Sequence, residues 1–505
     1  MPSLLDIIIP RGERVAGHQP WPRFVVTAQA WRHVAAEIGF GRATLLALWG
    51  DAGVVPTVHL AMLEERSGEI AVISLACPER KFPSVGAHVP PAIRPERAIH
   101  SLCGYEPVGG PDLRPWLDLG FWEVRHPLGA RSKAPPAAPA YTFLPVEGES
   151  LHQIPVGPVH AGIIEPGHFR FTANGEAVVR LEQRLGYVHK GIESLMAGAS
   201  IDRAAKLAAR TSGDSTVAYG IAFAHAVEAA LGIEAPPRAR HLRALMAELE
   251  RLANHFGDIG AVCNDASFAL MHAHCGILRE AVLRAAAASF GHRLMMDRVI
   301  PGGVAADLHR DGAGLIADLL QQIRRRFPRL VELYDNTTSL QDRTAATGIV
   351  SVELAREFGA SGYVGRASGR EFDARKTPGY APYDRLDFTV PMLTEGDVNA
   401  RVWIRLREVE QSLTLIEQIL DRLPDGPIAV ALEAGTGEGL GLAESFRGDV
   451  FAWVRLDGAG VARCHLRDPS WFQWPLLEAA IEGNIVADFP LCNKSFNCSY
   501  SGHDL

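Results

Sequence analysis

The chain has 505 residues, enough for two or three domains with sizeable cores. Its 47% hydrophobic and 21% charged content is that of a folded globular protein, and its net charge of −8 excludes a general nucleic-acid binder, which needs a basic surface to displace phosphate counterions. No run approaches the ~18 apolar residues of a membrane span, and MPSLLDIIIPRGERV lacks the basic start and cleavage site of a signal peptide, so membrane contact is expected through partners.

In chain order, AQAWRHVAAEIG reads as a helix, and RATLLALWGD, PTVHLAMLEE and GEIAVISLAC read as strands. These form a small α+β domain over residues 1–128. The Pro- and Ala-rich stretch 129–148 is the expected linker. A hairpin follows in GHFRFTANGEAVVRLEQR, turning at Asn174-Gly175. From about residue 190 the pattern is helical: Leu242, Leu245, Leu249 and Leu252 mark one apolar stripe, with further helices expected over 269–291 and 398–423. A second hairpin, DVFAWVRLDGAGVARCHLR, turns at Asp457-Gly458. The expected fold is α+β: the N-terminal domain fused to a mainly helical core, 149–505, with flanking β-hairpins.

The seven cysteines are scattered and odd in number, and no CxxC occurs, which argues against a disulfide framework and against a zinc or iron–sulfur site within the chain. No glycine-rich dinucleotide fingerprint occurs either, so nicotinamide chemistry is expected on another subunit.

Ordered blocks carry a family resemblance. GPVHAGIIEPGHFR, LGYVHKGIE, ELERLANH, VIPGGV, GYVGRASG, DARKTPGYAPYDRLDF, GDVNARVWIRLREVEQSL, FRGDVFAWVRLDG, LRDPSWFQWPLLE and DFPLCNKSFNCSYSGHDL resemble the quinone-reducing core (D-like) subunit of complex I and the large subunit of group 4 membrane-bound nickel–iron hydrogenases, the formate hydrogenlyase and hydrogenase-4 type. Upstream, Arg94, Glu96, Arg97, Gly104, Pro111–Arg114 and His126-Pro127-Leu128 resemble the small C-like subunit of complex I, so the chain looks like a fusion of the two.

The resemblance implies a peripheral-arm subunit of a membrane-bound oxidoreductase, on the cytoplasmic side of the inner membrane. It implies a B-like iron–sulfur small subunit with a 4Fe–4S cluster nearby, and membrane-embedded H-like and antiporter-like subunits. It also sets a test at the site. A nickel–iron centre takes four thiolates, which hydroxyls do not replace. The family segment R-x-C-x-x-C-x-x-x-H is here RTSGDSTVAY, with Ser212 and Ser215 at the cysteines and Tyr219 at the histidine; Ser499 and Gly502 occupy the second pair. Cys498 is one residue out of register, and on a strand-like segment that slip turns it away. No metal is therefore expected, and no cofactor is expected to be bound by this chain alone.

The family's quinone pair, a hairpin histidine and a tyrosine at a helix start, falls on Pro166 and Phe223, neither able to donate. His160, His168 and Tyr219 are the candidates for a modified quinone pocket. Glu165 stands at a proton-transferring glutamate of the hydrogenases, Asp265 at an acid that couples quinone to proton movement, and Arg210 at the pocket arginine, giving a candidate proton relay. Buried ion pairs without chemistry are the alternative for these three. Asp214 is read as a local hydrogen-bonding residue, His189 and His255 as structural, and His503 as either closing the old metal cavity or fraying. The competing function is a scaffold that kept the fold and lost the chemistry.

Overall fold

The computed structural model describes residues 11–120, 122–133, 141–160 and 164–505. The middle of the expected linker, 134–140, and part of the GPVHAGIIEPGHFR block, 161–163, lie outside these. Mixed α and β structure is observed throughout, as expected.

The N-terminal sheet has strand order Gly12–Val15, Arg23–Val26, Glu69–Ala76, Thr57–Glu64, Thr44–Asp51. The last three form an antiparallel meander, and Arg23–Val26 runs parallel to Glu69–Ala76. Their apolar runs are nearly continuous because both faces are covered. Alternate residues such as Leu60 and Met62 pack beneath the helix Ala28–Gly39 with Trp31 and Ile38. The intervening Ala61 and Leu63 pack on Phe451 and Trp453 of a second sheet.

That second sheet belongs to the C-terminal part. Its order is Gly460–Arg467, Asp449–Asp457, Gly437–Glu444, and it is completed by the parallel strand His18–Gln19 from the N-terminal part. The two parts of the chain thus share one core.

The helix Thr216–Leu231 lies directly on the strand Gly437–Glu444, and the sequence shows why. Gly437, Gly439 and Gly441 fall on one face, and a Cβ at each would run into the carbonyl of Ala230, Ala226 or Ala222. Two strand residues advance about 6.6 Å and four helix residues about 6 Å, so an i, i+2 glycine row keeps step with an i, i+4 alanine row. This contact fixes the helix that begins at Thr216, just after the turn Ser212–Ser215.

The helical core is built on Pro237–Asp265, which packs against Ala269–Phe290 and Val398–Asp421. The 25-residue helix Gly312–Asn336 joins them. The hairpin His168–Asn174/Ala177–Arg184 turns where expected and gains a third strand, Leu151–Val156. The end of the linker is strapped to it: Leu144 N donates to Glu182 Oε2 (2.9 Å), and the Arg180 guanidinium donates to the Leu144 and Pro145 carbonyls.

Candidate functional site

The four positions that the resemblance aligns with metal thiolates converge between the turn before Thr216–Leu231 and the last turns of the chain. Ser212 Oγ lies 2.9 Å from Ser499 Oγ, and Gly502 N donates to Ser499 Oγ at 2.9 Å. Ser212 donates to Asp214 Oδ1 (2.7 Å), and Ser215 donates to the same oxygen (3.2 Å). Arg447 closes the group, its guanidinium 2.6 Å from Asp214 Oδ2 and 3.3 Å from Ser215 Oγ. Burial pushes the Asp214 carboxyl up, but Arg447 and the two serine hydroxyls outweigh it and hold the pKa below the ordinary value.

Tyr219 is wholly buried and donates to Asp468 Oδ2 at 2.8 Å. Burial, reinforced by Asp468, holds its hydroxyl protonated far beyond neutral pH. Asp468 also fills the space beside Gly502, where a Cβ would stand 2.5 Å from its Oδ2. These residues do not fit a nickel–iron group: three hydroxyls stand where thiolates would be needed, the fourth position has no side chain, and Asp214, Arg447 and Asp468 crowd the space between them.

Cys498 does not rescue the set. The segment is not strand-like, because Ser499 caps the short helix Tyr500–Asp504; the Cys498 thiol instead packs toward Gln473 Oε1 at 3.9 Å. His503 does not fray. It is fully buried, stacks on Trp471 with centroids 4.1 Å apart, and its Nε2 accepts from Trp116 Nε1 at 3.3 Å. Trp116 in turn lies under Arg94 and Arg97, so the N-terminal part reaches the site. His189 and His255 make the structural bonds expected, to the Asp504 carbonyl (2.7 Å) and to Glu408 (2.6 Å).

The expected relay set is only partly gathered. Glu165 adjoins the cluster and accepts from Ser501 N at 3.0 Å. Arg210 does not: it follows the helix Ile201–Ala208, is exposed, and makes a bidentate pair with Asp297 (2.6 and 2.7 Å). The arginine beside the cluster is Arg447. Asp265 ends the helix Pro237–Asp265, eleven residues and thus about 16 Å beyond Asn254, which bonds the Asp214 carbonyl. There burial raises its pKa while Lys494 opposes.

Of the quinone candidates, His168 has both ring nitrogens engaged, by the Gly157 carbonyl (3.2 Å) and by Arg170 (3.4 Å), and His160 lies beside Gly157. Tyr219 is turned into the serine cluster. Phe223 does not mark the helix start; the helix begins at Thr216 and Phe223 is a core side chain two turns in. The residues before that start, Gly213 and Asp214, line a cavity of about 130 Å³ together with Glu250, Asn254, Arg279 and Arg293.

Glu250 was not legible as a site residue. It accepts from Val217 N (2.7 Å) and Ala218 N (3.2 Å) at the start of the helix, and burial pushes its carboxyl up to about 8. Arg447 and Asp468 were also missed as site residues, although each lies inside a family block quoted above, FRGDVFAWVRLDG and LRDPSWFQWPLLE. A charged residue inside such a block was the available signal.

Comparison with known proteins gives the family. Residues 266–435 match the family described as the respiratory-chain NADH dehydrogenase, 49 Kd subunit. Formate hydrogenlyase subunit 5 of Escherichia coli (strain K12) is 32% identical over 439 residues, covering 84% of this chain and 77% of the relative. The C/D subunit of the NADH-quinone oxidoreductase of Phocaeicola vulgatus is 28% identical over 444 residues, 80% of this chain and 85% of the relative. A chain from the structure of the membrane-bound sulfane sulfur reductase, an archaeal respiratory membrane complex, superposes with a TM-score of 0.67 at 27% identity, covering 72% of this chain and all of that one. The chain belongs to the family of complex I 49 kDa subunits and membrane-bound hydrogenase large subunits.

Proposed function

We propose that this chain is a peripheral-arm subunit of a membrane-bound, complex I-like oxidoreductase, coupling electron transfer from a partner's iron–sulfur cluster to ion movement in the membrane without a nickel–iron centre of its own. The observation that carries this is the serine cluster. The segments that the resemblance assigns to the metal cradle meet, at 2.9 Å between Ser212 and Ser499, beside buried Arg447 and half-buried Asp214. In this reading the face formed by residues 160–220 and 490–505 docks a B-like iron–sulfur small subunit with its 4Fe–4S cluster. H-like and antiporter-like subunits hold the assembly on the cytoplasmic side of the inner membrane. Among the described residues no helix is long and apolar enough to cross a membrane, which fits attachment through such partners.

A non-catalytic scaffold is the second reading. It is favoured by the saturation of the cluster, where Ser212, Ser215, Tyr219 and Asp214 all find partners within the chain. Purification of the complex from its native membrane through a tag on this chain separates the two. Co-purifying iron–sulfur and membrane subunits with donor-driven electron transfer support the oxidoreductase. A complex that assembles but transfers no electrons supports the scaffold, stoichiometric nickel overturns both, and extracted quinone assigns a modified quinone pocket.

A further inference from the structure

The strand His18–Gln19 pairs with only Glu438 and Gly439 of the strand Gly437–Glu444. Beyond it the chain turns at Pro20, and the Trp21 carbonyl folds back onto His18 Nδ1 (2.6 Å). Leu440–Leu442 are therefore left with an edge that has no strand beside it. Alternate residues turn their backbone groups to this edge: Glu438 N donates to the Gly17 carbonyl, and the Leu442 carbonyl lies 3.3 Å from His225 Nδ1. The Leu442 N–H points the same way as its carbonyl and has no strand to receive it.

A cavity of about 300 Å³ occupies the place of the missing strand, walled by Pro20, Trp21, Tyr380 and Leu442, with His225 and half-exposed Arg240 also lining it. That volume is within the range of small-molecule sites, roughly 300–1,000 Å³. A carbonyl only accepts, so His225 Nδ1 carries the proton and Nε2 is the acceptor. Burial lowers the His225 pKa to about 4, against the pull of Glu228, so the ring is neutral at physiological pH. Its Nε2 has no partner among the described residues. The charges nearby are already matched, Glu228 with Arg243 (2.5 Å) and Glu234 with Arg240 (2.6 Å).

We propose that this cavity binds an adenine ring, carried by a nucleoside or a nucleotide, at the seam between the N-terminal and C-terminal parts. The site goes beyond the oxidoreductase reading and does not depend on it. Adenine presents an amino donor beside a ring-nitrogen acceptor on one edge. Leu442 N–H and His225 Nε2 offer the complementary donor and acceptor, and Trp21 and Tyr380 offer aromatic faces for stacking. A base with a carbonyl in place of the amino group sets two acceptors against each other at His225 Nε2. Gly441 keeps the imidazole in place, because a Cβ there would come within 2.9 Å of His225 Cβ. Arg240 is the cation available to a phosphate on the sugar.

The test uses the purified intact complex and isothermal titration calorimetry, with adenosine, adenosine monophosphate and inosine as probes. Adenosine is expected to bind saturably at one per chain, and inosine at least about tenfold more weakly. Tighter binding of the monophosphate than of adenosine supports the site and names the nucleotide; equal binding supports it and names the nucleoside. His225→Phe, which keeps a ring without an acceptor, and Ala229→Phe, which fills the cavity from a half-buried helix position, are each expected to abolish binding. Thermal denaturation checks that both variants fold, and Ala229→Phe decides where His225→Phe does not. The absence of saturable heat with adenosine, equal binding of inosine, or wild-type binding in folded Ala229→Phe overturns the site.

Discussion

The Oγ atoms of Ser212 and Ser499 lie 2.9 Å apart although 287 residues separate them in the chain. That contact ties the turn before the helix Thr216–Leu231 to the end of the chain, and Asp214, Arg447 and Asp468 pack around it.

Restoring thiolates is therefore not expected to restore a metal site. A Cβ at Gly502 would stand 2.5 Å from Asp468 Oδ2 and 2.7 Å from its Cγ. Gly502→Cys is expected to destabilise the chain by about 1–3 kcal/mol through overpacking. The fourfold variant carrying cysteine at 212, 215, 499 and 502 should bind no stoichiometric nickel, as elemental analysis would show; nickel at one per chain would refute the account of the filled cradle.

Arg447 and Asp214 should behave as one unit. Arg447→Met leaves a partly buried carboxylate without its partner and is expected to cost about 2–3 kcal/mol. Arg447→Met combined with Asp214→Asn should recover part of that loss, which a double-mutant cycle on denaturation midpoints would read. Strict additivity would mean that the pair is not coupled.

Glu250 gives the stability a pH dependence of known sign. Burial raises its pKa from the usual 4.5 to about 8, so between these values the folded chain binds a proton that the unfolded chain has released. Stability from this group is fully present below the unfolded pKa and is lost as pH rises toward 8, by up to about 5 kcal/mol. Glu250→Gln keeps one oxygen to accept from the helix start, loses the second of the two bonds, and has no proton to lose. Its melting temperature should change less than that of the wild type between pH 5 and 8. Parallel curves would show that Glu250 is not the titrating group.

The glycine row under the helix Thr216–Leu231 is a further point of failure. Gly439→Ala places a methyl group on the Ala226 carbonyl, and Gly441→Ala places one on that of Ala222. Neither backbone can yield without moving the helix that carries the serine cluster. Each change is expected to cost at least about 3 kcal/mol by overpacking. Gly458→Ala, at a hairpin turn open to solvent, serves as the comparison with only local turn strain. Equal, small losses for all three in thermal denaturation would show that the close approach is not needed.

Local signals were legible where physics acts over a few residues. The helix Ala28–Gly39 and the hairpin turns at Asn174-Gly175 and Asp457-Gly458 follow from apolar periodicity and from turn residues that accept positive φ. The strand Gly437–Glu444 was not legible, because its alternate glycines weaken a strand pattern and make sense only beneath a helix. Arg210 was assigned to the pocket by its place in a motif, yet its long side chain follows the nearest carboxylate, Asp297, out to the surface.

By itself, then, the sequence determined the family, the local elements and the four positions at which no thiolate stands, since each of these is written in residue identity and short-range spacing. Only the tertiary structure decided what fills the vacated place. Asp214, Arg447 and Asp468 come from segments more than two hundred residues apart, apart from the short stretch between the last two. Their meeting depends on how a glycine-lined strand, a helix and the end of the chain pack together. No periodicity records that packing, because what chooses among the partners of a buried charge is the low-dielectric interior in which it must be neutralised.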